Sequence, residues 1–261
     1  MTTATTAAAS RSGAGRALAL AAVEVRTVLR NRTTAVTSIV VPTGLGLFWA
    51  VTVGAPDPEG ATAVVALQLA VVLAMSVYVT ATQTLVARRQ ARVLKRMQTT
   101  SLSDTEVLIG TLAPCLVLGI AQLAVFAVVD VAAGVPLPVD VLPLVVAVVG
   151  GLALVVTAAV ATSIVTPSPE RAQITTLPLV FVLLGGAFVL SVAPVGTVWQ
   201  ALVVVPGAAV GQLAQLAMTG TTWGPGLGGV PAVLPALAAT AVWPVVLGAA
   251  ARRRFRWDPR H

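Results

Sequence analysis

The sequence predicts an all-α integral membrane protein, and three observations support that fold class. The chain of 261 residues is 57% hydrophobic and only 10% charged, whereas soluble domains carry about 25% charged residues. Its mean hydropathy is +0.95. Its positive charges come in short clusters between long apolar runs, as membrane topology requires. We therefore expect the chain to lie in lipid and to bind no nucleic acid.

Six stretches are apolar enough, and about long enough, to cross ~30 Å of hydrocarbon as helices of ~20 residues. They lie near residues 34–54, 62–86, 107–130, 141–165, 172–192 and 231–251. Helices are expected because lipid offers the backbone no hydrogen-bond partner, and the runs lack the alternation of a barrel strand. The predicted domains are a disordered tail over 1–15, a six-span unit over 16–251 and a basic tail over 252–261.

The charges orient these spans. With six spans, all sixteen Lys and Arg residues fall on one side, and the opposite loops hold Asp57, Glu59, Asp130 and Asp140 but no Lys or Arg. The positive-inside rule then places both termini in the cytoplasm. A composition rich in Ala, Val, Gly and Arg with a single Lys is typical of a GC-rich bacterial genome, and the expected location is the bacterial cytoplasmic membrane.

Two segments outside the spans have patterns of their own. Apolar residues of 16–32 fall on an arc of about 100°, which predicts an interfacial helix with its basic side toward lipid headgroups. The alternative is an ordinary basic juxtamembrane segment. Residues 193–230, on the extracellular side, are uncharged and nearly as apolar as a span, but Pro206 and Gly207 interrupt them. We expect a re-entrant pair of short helices there; the alternative is two further spans.

The densest positive charge lies between the second and third predicted spans. Five of the sixteen basic residues occupy positions 88–96, and the second helix is expected to continue through them to residue 97. A polar break follows, and Ser103 with Glu106 has the Ser-x-x-Glu spacing of a capping box that opens the third span. This order suits docking into an acidic groove on a partner. Alternatively, the charges only fix topology and bind anionic headgroups.

Residues 92–103, Arg-Val-Leu-Lys-Arg-Met-Gln-Thr-Thr-Ser-Leu-Ser, resemble a loop of ABC-2 type transporter permeases. Those proteins typically show Gly-Thr-Leu-Lys-Arg-Leu-Arg-Thr-Thr-Pro-Leu-Ser, so this chain departs from the pattern at 92, 98 and 101. A second similarity is Trp199-Gln200, then Pro206 and an apolar stretch to Met218. The family's usual aromatic and arginine after that proline are missing.

The resemblance implies a permease of an ATP-driven exporter that moves a hydrophobic or amphipathic compound, such as a drug, an antibiotic, a lipid or a glycan-linked lipid. The implied partners are a separate nucleotide-binding ATPase, a second permease chain, identical or related, and membrane lipid. ATP and Mg would bind to the ATPase, and this chain would bind no cofactor. The implied ATPase-coupling residues are Arg88, Arg89, Arg92, Lys95, Arg96, Met97, Thr99, Thr100, Leu102, Ser103 and Glu106.

The residue content agrees with a transport subunit that is not itself an enzyme. The only lysine is Lys95, and no phosphate-binding Gly-x4-Gly-Lys-Ser/Thr motif surrounds it. The single histidine, His261, leaves no His-based triad or zinc cluster. No pair of acids lies mid-span to couple protons. The alternatives to a permease are a non-transporting anchoring or assembly subunit and a secondary transporter.

A few polar side chains lie within the predicted spans: Gln68, Tyr78, Gln83 and Gln122. They are candidates for a substrate path, or they bridge helices by hydrogen bonds. Glycines at 44, 46, 150, 151, 185 and 186 are expected to allow close helix contact.

Overall fold

A computed structural model describes residues 39–52, 58–91 and 104–254, with side chains described over 39–52, 60–91 and 107–253. Within these ranges the chain is helical apart from its turns and one isolated bridge between Pro225 and Pro231. The predicted surface helix over 16–32 and the predicted tail over 1–15 lie outside the described residues.

The helices follow one another in a simple order. In this chain order they are α1 (Val41–Thr52), α2 (Pro58–Val71), a π-helix (Val72–Val79), α3 (Thr80–Gln90), α4 (Asp104–Ala132), α5 (Val141–Val165), α6 (Pro169–Val192), a 3-10 helix (Val198–Val204), α7 (Ala208–Thr219), a short 3-10 turn (Leu227–Gly229) and α8 (Val233–Arg254).

Five helical segments are long and apolar enough to cross a membrane. They are Gly60–Gln90, Val107–Ala132, Val141–Val165, Pro169–Val192 and Val233–Arg253. Each coincides with one of the predicted spans, which confirms the all-helical fold class. The shorter apolar helix α1 lies in the first predicted span, and the residues before position 39 are outside the described part of the chain. The count of six spans therefore stays a prediction.

The first of these five segments, from α2 through the π-helix to α3, forms the centre of the bundle. Of the 18 consecutive residues that are most apolar in this segment, 78% are buried, compared with 17% of the corresponding residues in α8. Tyr78 and Leu73 are almost fully buried there, and Cys115 of α4 packs in the same core as a free thiol. The buried hydroxyl of Ser76 has no hydrogen-bond partner among the described residues. α8, in contrast, leaves most of its surface available to lipid or to another chain.

Glycines allow some of these helices to approach closely. The prediction of close contact is confirmed for Gly46, Gly150, Gly151 and Gly186, where an added Cβ would press on a neighbouring helix. It is wrong for Gly44 and Gly185, which have no such atom within 4 Å. At Gly211 the neighbouring atoms belong to backbone, and a Cβ would overlap the carbonyl oxygen of Ala187.

The chain after α6 turns back beside that helix and returns. Gly207, with φ of +85°, forms the turn before α7. It lies against Leu183, which is nine residues before the end of α6. Gln215 of α7 then donates to the carbonyl of Ala193 at 2.8 Å, so α7 runs parallel to α6. Nine helical residues rise ~14 Å, which is the depth of this excursion.

This geometry is the one expected of a re-entrant pair of short helices. α7 has 12 residues, or a length of ~18 Å, which is too short to cross ~30 Å of hydrocarbon. Residues 193–230 contain no helix of spanning length. The entry of this excursion into a membrane stays a prediction.

Candidate coupling face and acidic-end cavity

The bundle has two chemically different ends. We call the end that carries Arg88, Arg89 and Arg171 the basic end, and the end that carries Asp130 and Asp140 the acidic end. The topology predicted from the sequence makes the basic end cytoplasmic and the acidic end external. Each end holds a candidate functional site.

At the basic end, the helix that leads into the predicted coupling loop stops early. α3 ends at Gln90, and Ala91 leaves helical geometry with φ of −71° and ψ of 1°. The expectation of an unbroken helix to residue 97 is therefore wrong. Residues 92–103 and the side chain of Glu106 lie outside the described part. α4 begins at Asp104, directly after Ser103, and the capping box stays a prediction.

Arg89 is buried, with only 5% of its surface exposed. Its guanidinium donates to the carbonyl oxygens of Ser163 at 2.6 Å and Thr166 at 2.5 Å. These carbonyls lie at the C-terminus of α5, where the last carbonyls lack intrahelical partners and the helix dipole favours a cation. Arg89 thus caps α5 from the end of α3. The sequence placed it among partner-contacting residues, but its guanidinium points into the bundle.

The two residues beside Arg89 make further connections. Arg88 donates to the Thr111 hydroxyl of α4 at 3.3 Å, and the Gln90 amide donates to the Pro167 carbonyl at 2.9 Å. We call Arg88, Arg89 and Gln90 the anchor triplet. Since hydrogen bonds from a charged donor are about twice as strong as neutral ones, the triplet fixes the base of the loop to α4, to α5 and to the α5–α6 turn.

A polar cleft of about 340 Å³ opens next to the triplet. Its lining consists of Thr80, Gln83, Thr84, Ala87, Pro169, Glu170 and Gln173. Of the four predicted path residues, Gln83 is the one that lines this cleft. It lies at the basic end between α3 and α6.

The other three predicted path residues are buried and bridge helices. The Tyr78 hydroxyl lies 2.9 Å from that of Thr162, and the Gln122 amide donates to the carbonyl of Ile39 and the hydroxyl of Thr43, each at 3.2 Å. Gln68 is 3% exposed. These contacts favour the helix-bridging interpretation of Tyr78 and Gln122.

Gln68 belongs to a cavity at the acidic end. The cavity has a volume of about 240 Å³ and lies between α2, α4, α5 and the α4–α5 loop. Its walls are apolar except for Gln68 and Asp130, and the Gln68 amide donates to Asp130 Oδ1 at 2.9 Å. The same amide lies 3.3 Å from the Gly46 carbonyl of α1. We call this space the acidic-end cavity.

The second acid at this end has a structural role. Asp140 is the N-cap of α5, where its carboxylate accepts from the Leu142 amide at 3.1 Å. Its other oxygen accepts from the Thr222 hydroxyl at 2.9 Å. An acid is favoured at a helix N-terminus. Asp140 therefore ties α5 to the segment that follows α7.

Gln200 holds the charge-free segment together and was missed by sequence reasoning as a site residue. It is 3% exposed. Its Oε1 accepts from the Leu227 amide at 2.7 Å and the Gly196 amide at 3.2 Å, while its Nε2 lies 3.5 Å from the Ala232 carbonyl. The available signal was an amide side chain in an apolar, turn-rich segment, because a buried amide needs hydrogen-bonding partners.

Together, the long apolar helices and the separation of charge between two ends define a multi-pass α-helical membrane protein. The sequence model of the family described as ABC-2 family transporter protein matches residues 33–253. Because this match covers most of the 261 residues, the chain belongs to the ABC-2 transporter family and is a permease of an ABC-type transporter. Membrane proteins of this family generally work with an ABC ATPase subunit. No curated protein and no solved structure matches the sequence.

Proposed function

We propose that this chain is the permease subunit of an ABC exporter in a bacterial cytoplasmic membrane. It moves a hydrophobic or amphipathic compound, with ATP and Mg bound and used by a separate ATPase. The family match over residues 33–253 carries this proposal. Residues 88–106 contain a basic cluster, then a polar break, then a predicted capping box. This order supports a docking role for the loop between α3 and α4.

The anchor triplet suggests how such a loop would act on the spans. Arg92, Lys95 and Arg96 contact the acidic groove of the ATPase in this proposal, and the remainder of the loop shapes the contact. These residues are Met97, Thr99, Thr100, Leu102 and Ser103 in the loop and Glu106 in the first turn of α4. Because Arg89 connects the loop base to the last turn of α5, a push on the loop moves α3, α4 and α5 together. Arg88 and Arg89 are positioning residues.

The remaining parts of the proposal concern topology and assembly. The chain has six spans with both termini in the cytoplasm, and residues 193–230 enter the outer leaflet as a re-entrant pair. A second permease, identical or related, packs against this one, and lipid covers the rest. The exposed surface of α8 supports such a contact. The cleft that contains Gln83 lies on the side from which cytoplasmic cargo would enter.

The test is affinity purification of the tagged full chain from its native membranes in mild detergent, followed by mass spectrometry. We expect a P-loop ATPase in near-stoichiometric amount. If no ATPase accompanies the chain, even after gentle crosslinking, the exporter proposal fails and the anchoring-subunit and secondary-transporter alternatives take its place.

A charge-reversal variant maps the contact. We expect Arg92→Glu with Lys95→Glu and Arg96→Glu to lose most of the ATPase while inserting normally, because the anchor triplet is intact. The matched control reverses Arg252, Arg253 and Arg254, which changes the charge equally at the end of α8, and it should retain the ATPase. Equal recovery from both triple variants would exclude the loop as the contact.

A further inference from the structure

The acidic-end cavity contains a carboxylate, that of Asp130, which pairs with no Lys or Arg among the described residues. Asp130 is 8% exposed, and its carboxylate has one hydrogen-bond donor among the described residues, the Gln68 amide. No Lys or Arg occurs in the sequence of any loop predicted on this side. A carboxylate inside apolar walls is costly unless a cation or strong donors accompany it.

The surroundings of Asp130 differ from those of a structural acid. Asp140 satisfies both carboxylate oxygens with an N-cap amide and a threonine hydroxyl. Asp130 uses Oδ1 alone, and the donor is itself held by the Gly46 carbonyl. The pair Gln68–Asp130 therefore presents an oriented carboxylate at the wall of the cavity.

The other walls of the cavity favour a ligand with an apolar part. Leu69, Leu123, Phe126, Leu144 and Val148 contribute to its walls. Its volume of about 240 Å³ is slightly below the ~300–1,000 Å³ of typical drug-sized sites. Such a space holds a ring or short alkyl group with a small charged head, or one arm of a larger molecule.

We propose that the acidic-end cavity binds an amphipathic cation, with its ammonium group paired to Asp130 and its apolar part against the leucine-rich walls. This inference deepens the proposed function by naming a cargo class, and it rests on that function only for the step from binding to transport. The shared chemistry is an ammonium on an apolar body, supplied by a free amphiphilic amine or by the headgroup of an aminophospholipid.

The test compares two fluorinated probes that differ in charge and share one shape. The cation is 4-fluorobenzyltrimethylammonium, and the neutral probe is its carbon isostere, 4-fluoroneopentylbenzene. Binding to the purified full chain in dodecyl maltoside is followed by fluorine NMR. We expect the cation to bind roughly tenfold or more tightly than the neutral probe, as an ion pair shielded from water would produce. Equal affinities in the wild-type chain would overturn the proposal whether or not any variant folds.

Variants locate the effect. Asp130→Asn keeps the side-chain shape and should weaken cation binding by about tenfold while leaving the neutral probe unchanged. Asp140→Asn is the matched control and should bind the cation as the wild type does. Leu144→Trp, which fills the cavity, should weaken both probes. Wild-type affinity for the cation in Asp130→Asn would refute the role of this carboxylate.

A final arm distinguishes the two sources of the ammonium group. The cation is titrated in nanodiscs of phosphatidylglycerol with and without phosphatidylethanolamine. Competition by the aminophospholipid that disappears in Asp130→Asn assigns the cavity to a lipid headgroup, whereas no competition assigns it to a free amine. Because these measurements need no ATPase, they succeed or fail independently of the partner purification.

Discussion

The basic and acidic ends of the bundle provide hydrogen-bond partners for unpaired backbone groups by different chemistry. At the basic end, Arg89 donates a charged guanidinium to two carbonyls at the end of α5. At the acidic end, the neutral amide of Gln200 connects three backbone groups and the carboxylate of Asp140 caps the start of α5. One helix, α5, thus receives a cation at its C-terminus and an anion at its N-terminus, as its dipole favours.

The topology predicted from the sequence accounts for this difference. Positive charge is retained on the cytoplasmic side, so an arginine cap is available at one end only. The opposite end has neutral amides and acids. Polar stabilisation is therefore concentrated in fewer and stronger contacts at the basic end, and it is distributed over several weaker contacts at the acidic end.

The largest expected effect is the loss of Arg89. Arg89→Ala leaves the carbonyls of Ser163 and Thr166 without their donor, and each buried unsatisfied group costs about 1–3 kcal/mol. We expect the free energy of unfolding in detergent to fall by roughly 2–5 kcal/mol. Arg171→Ala, an exposed arginine at the same end, should stay within about 0.5 kcal/mol. Equal losses in both variants would contradict the capping role.

A second comparison concerns the close approach of α6 and α7. Gly211→Ala places a methyl group against the Ala187 backbone, which cannot move without separating the two helices. We expect a loss of about 1–3 kcal/mol or more from overpacking, measured as a lower Tm. Gly185→Ala has open space at the Cβ position and should leave Tm unchanged or raise it. The account of the α6–α7 contact fails if the two variants have the same Tm.

Gln200→Leu tests the distributed contacts of the acidic end. It removes the acceptor of the Gly196 and Leu227 amides. Since both of these residues are exposed, water can accept hydrogen bonds from their amides in place of Gln200. We therefore expect the free energy of unfolding to fall by only about 1–2 kcal/mol. Gln173→Leu, on the exposed surface of α6, is the control and should be nearly neutral. Chemical unfolding of both variants in the same detergent decides the point.

The smallest effect is expected at the N-caps. Asp140→Ala removes the cap of α5 and the bond to Thr222, for about 1 kcal/mol. Ser168→Ala removes a cap of α6 whose hydrogen bond is longer, at 3.4 Å, and should cost less. A larger loss for Ser168→Ala, measured by the same unfolding titration, would reverse this order.

Much of the fold was predictable because apolar runs and their flanking residues mark the helices. Residues 141–165 were predicted as a span, and α5 covers Val141–Val165, since Asp140 caps its start and Pro167 follows its end. The interruption at Pro206 and Gly207 was also foreseen, because a proline and a glycine together interrupt a helix, whereas the entry of this segment into a membrane stays a prediction.

The positions of single side chains were harder to predict. Five basic residues at 88–96 look equivalent in a charge run, yet Arg89 points inward. A helical signal existed, because Thr82, Val86 and Arg89 are spaced four and then three residues apart and all are buried. The pairing of Gln68 with Asp130 crosses 62 positions of sequence, and no local pattern encodes which two helices meet.

The coupling role of the loop after α3 can be tested most directly by site-specific crosslinking to the ATPase. Cys115, the only cysteine in the chain, is buried and serves as an unreactive background. Thr99→Cys and Thr221→Cys, one in the loop and one exposed at the acidic end, are each labelled with a benzophenone maleimide in native membranes and irradiated. We expect an ATPase adduct from position 99 and none from position 221. An adduct from position 221 alone, or from neither position while the ATPase copurifies, would contradict the assignment of this loop as the coupling face.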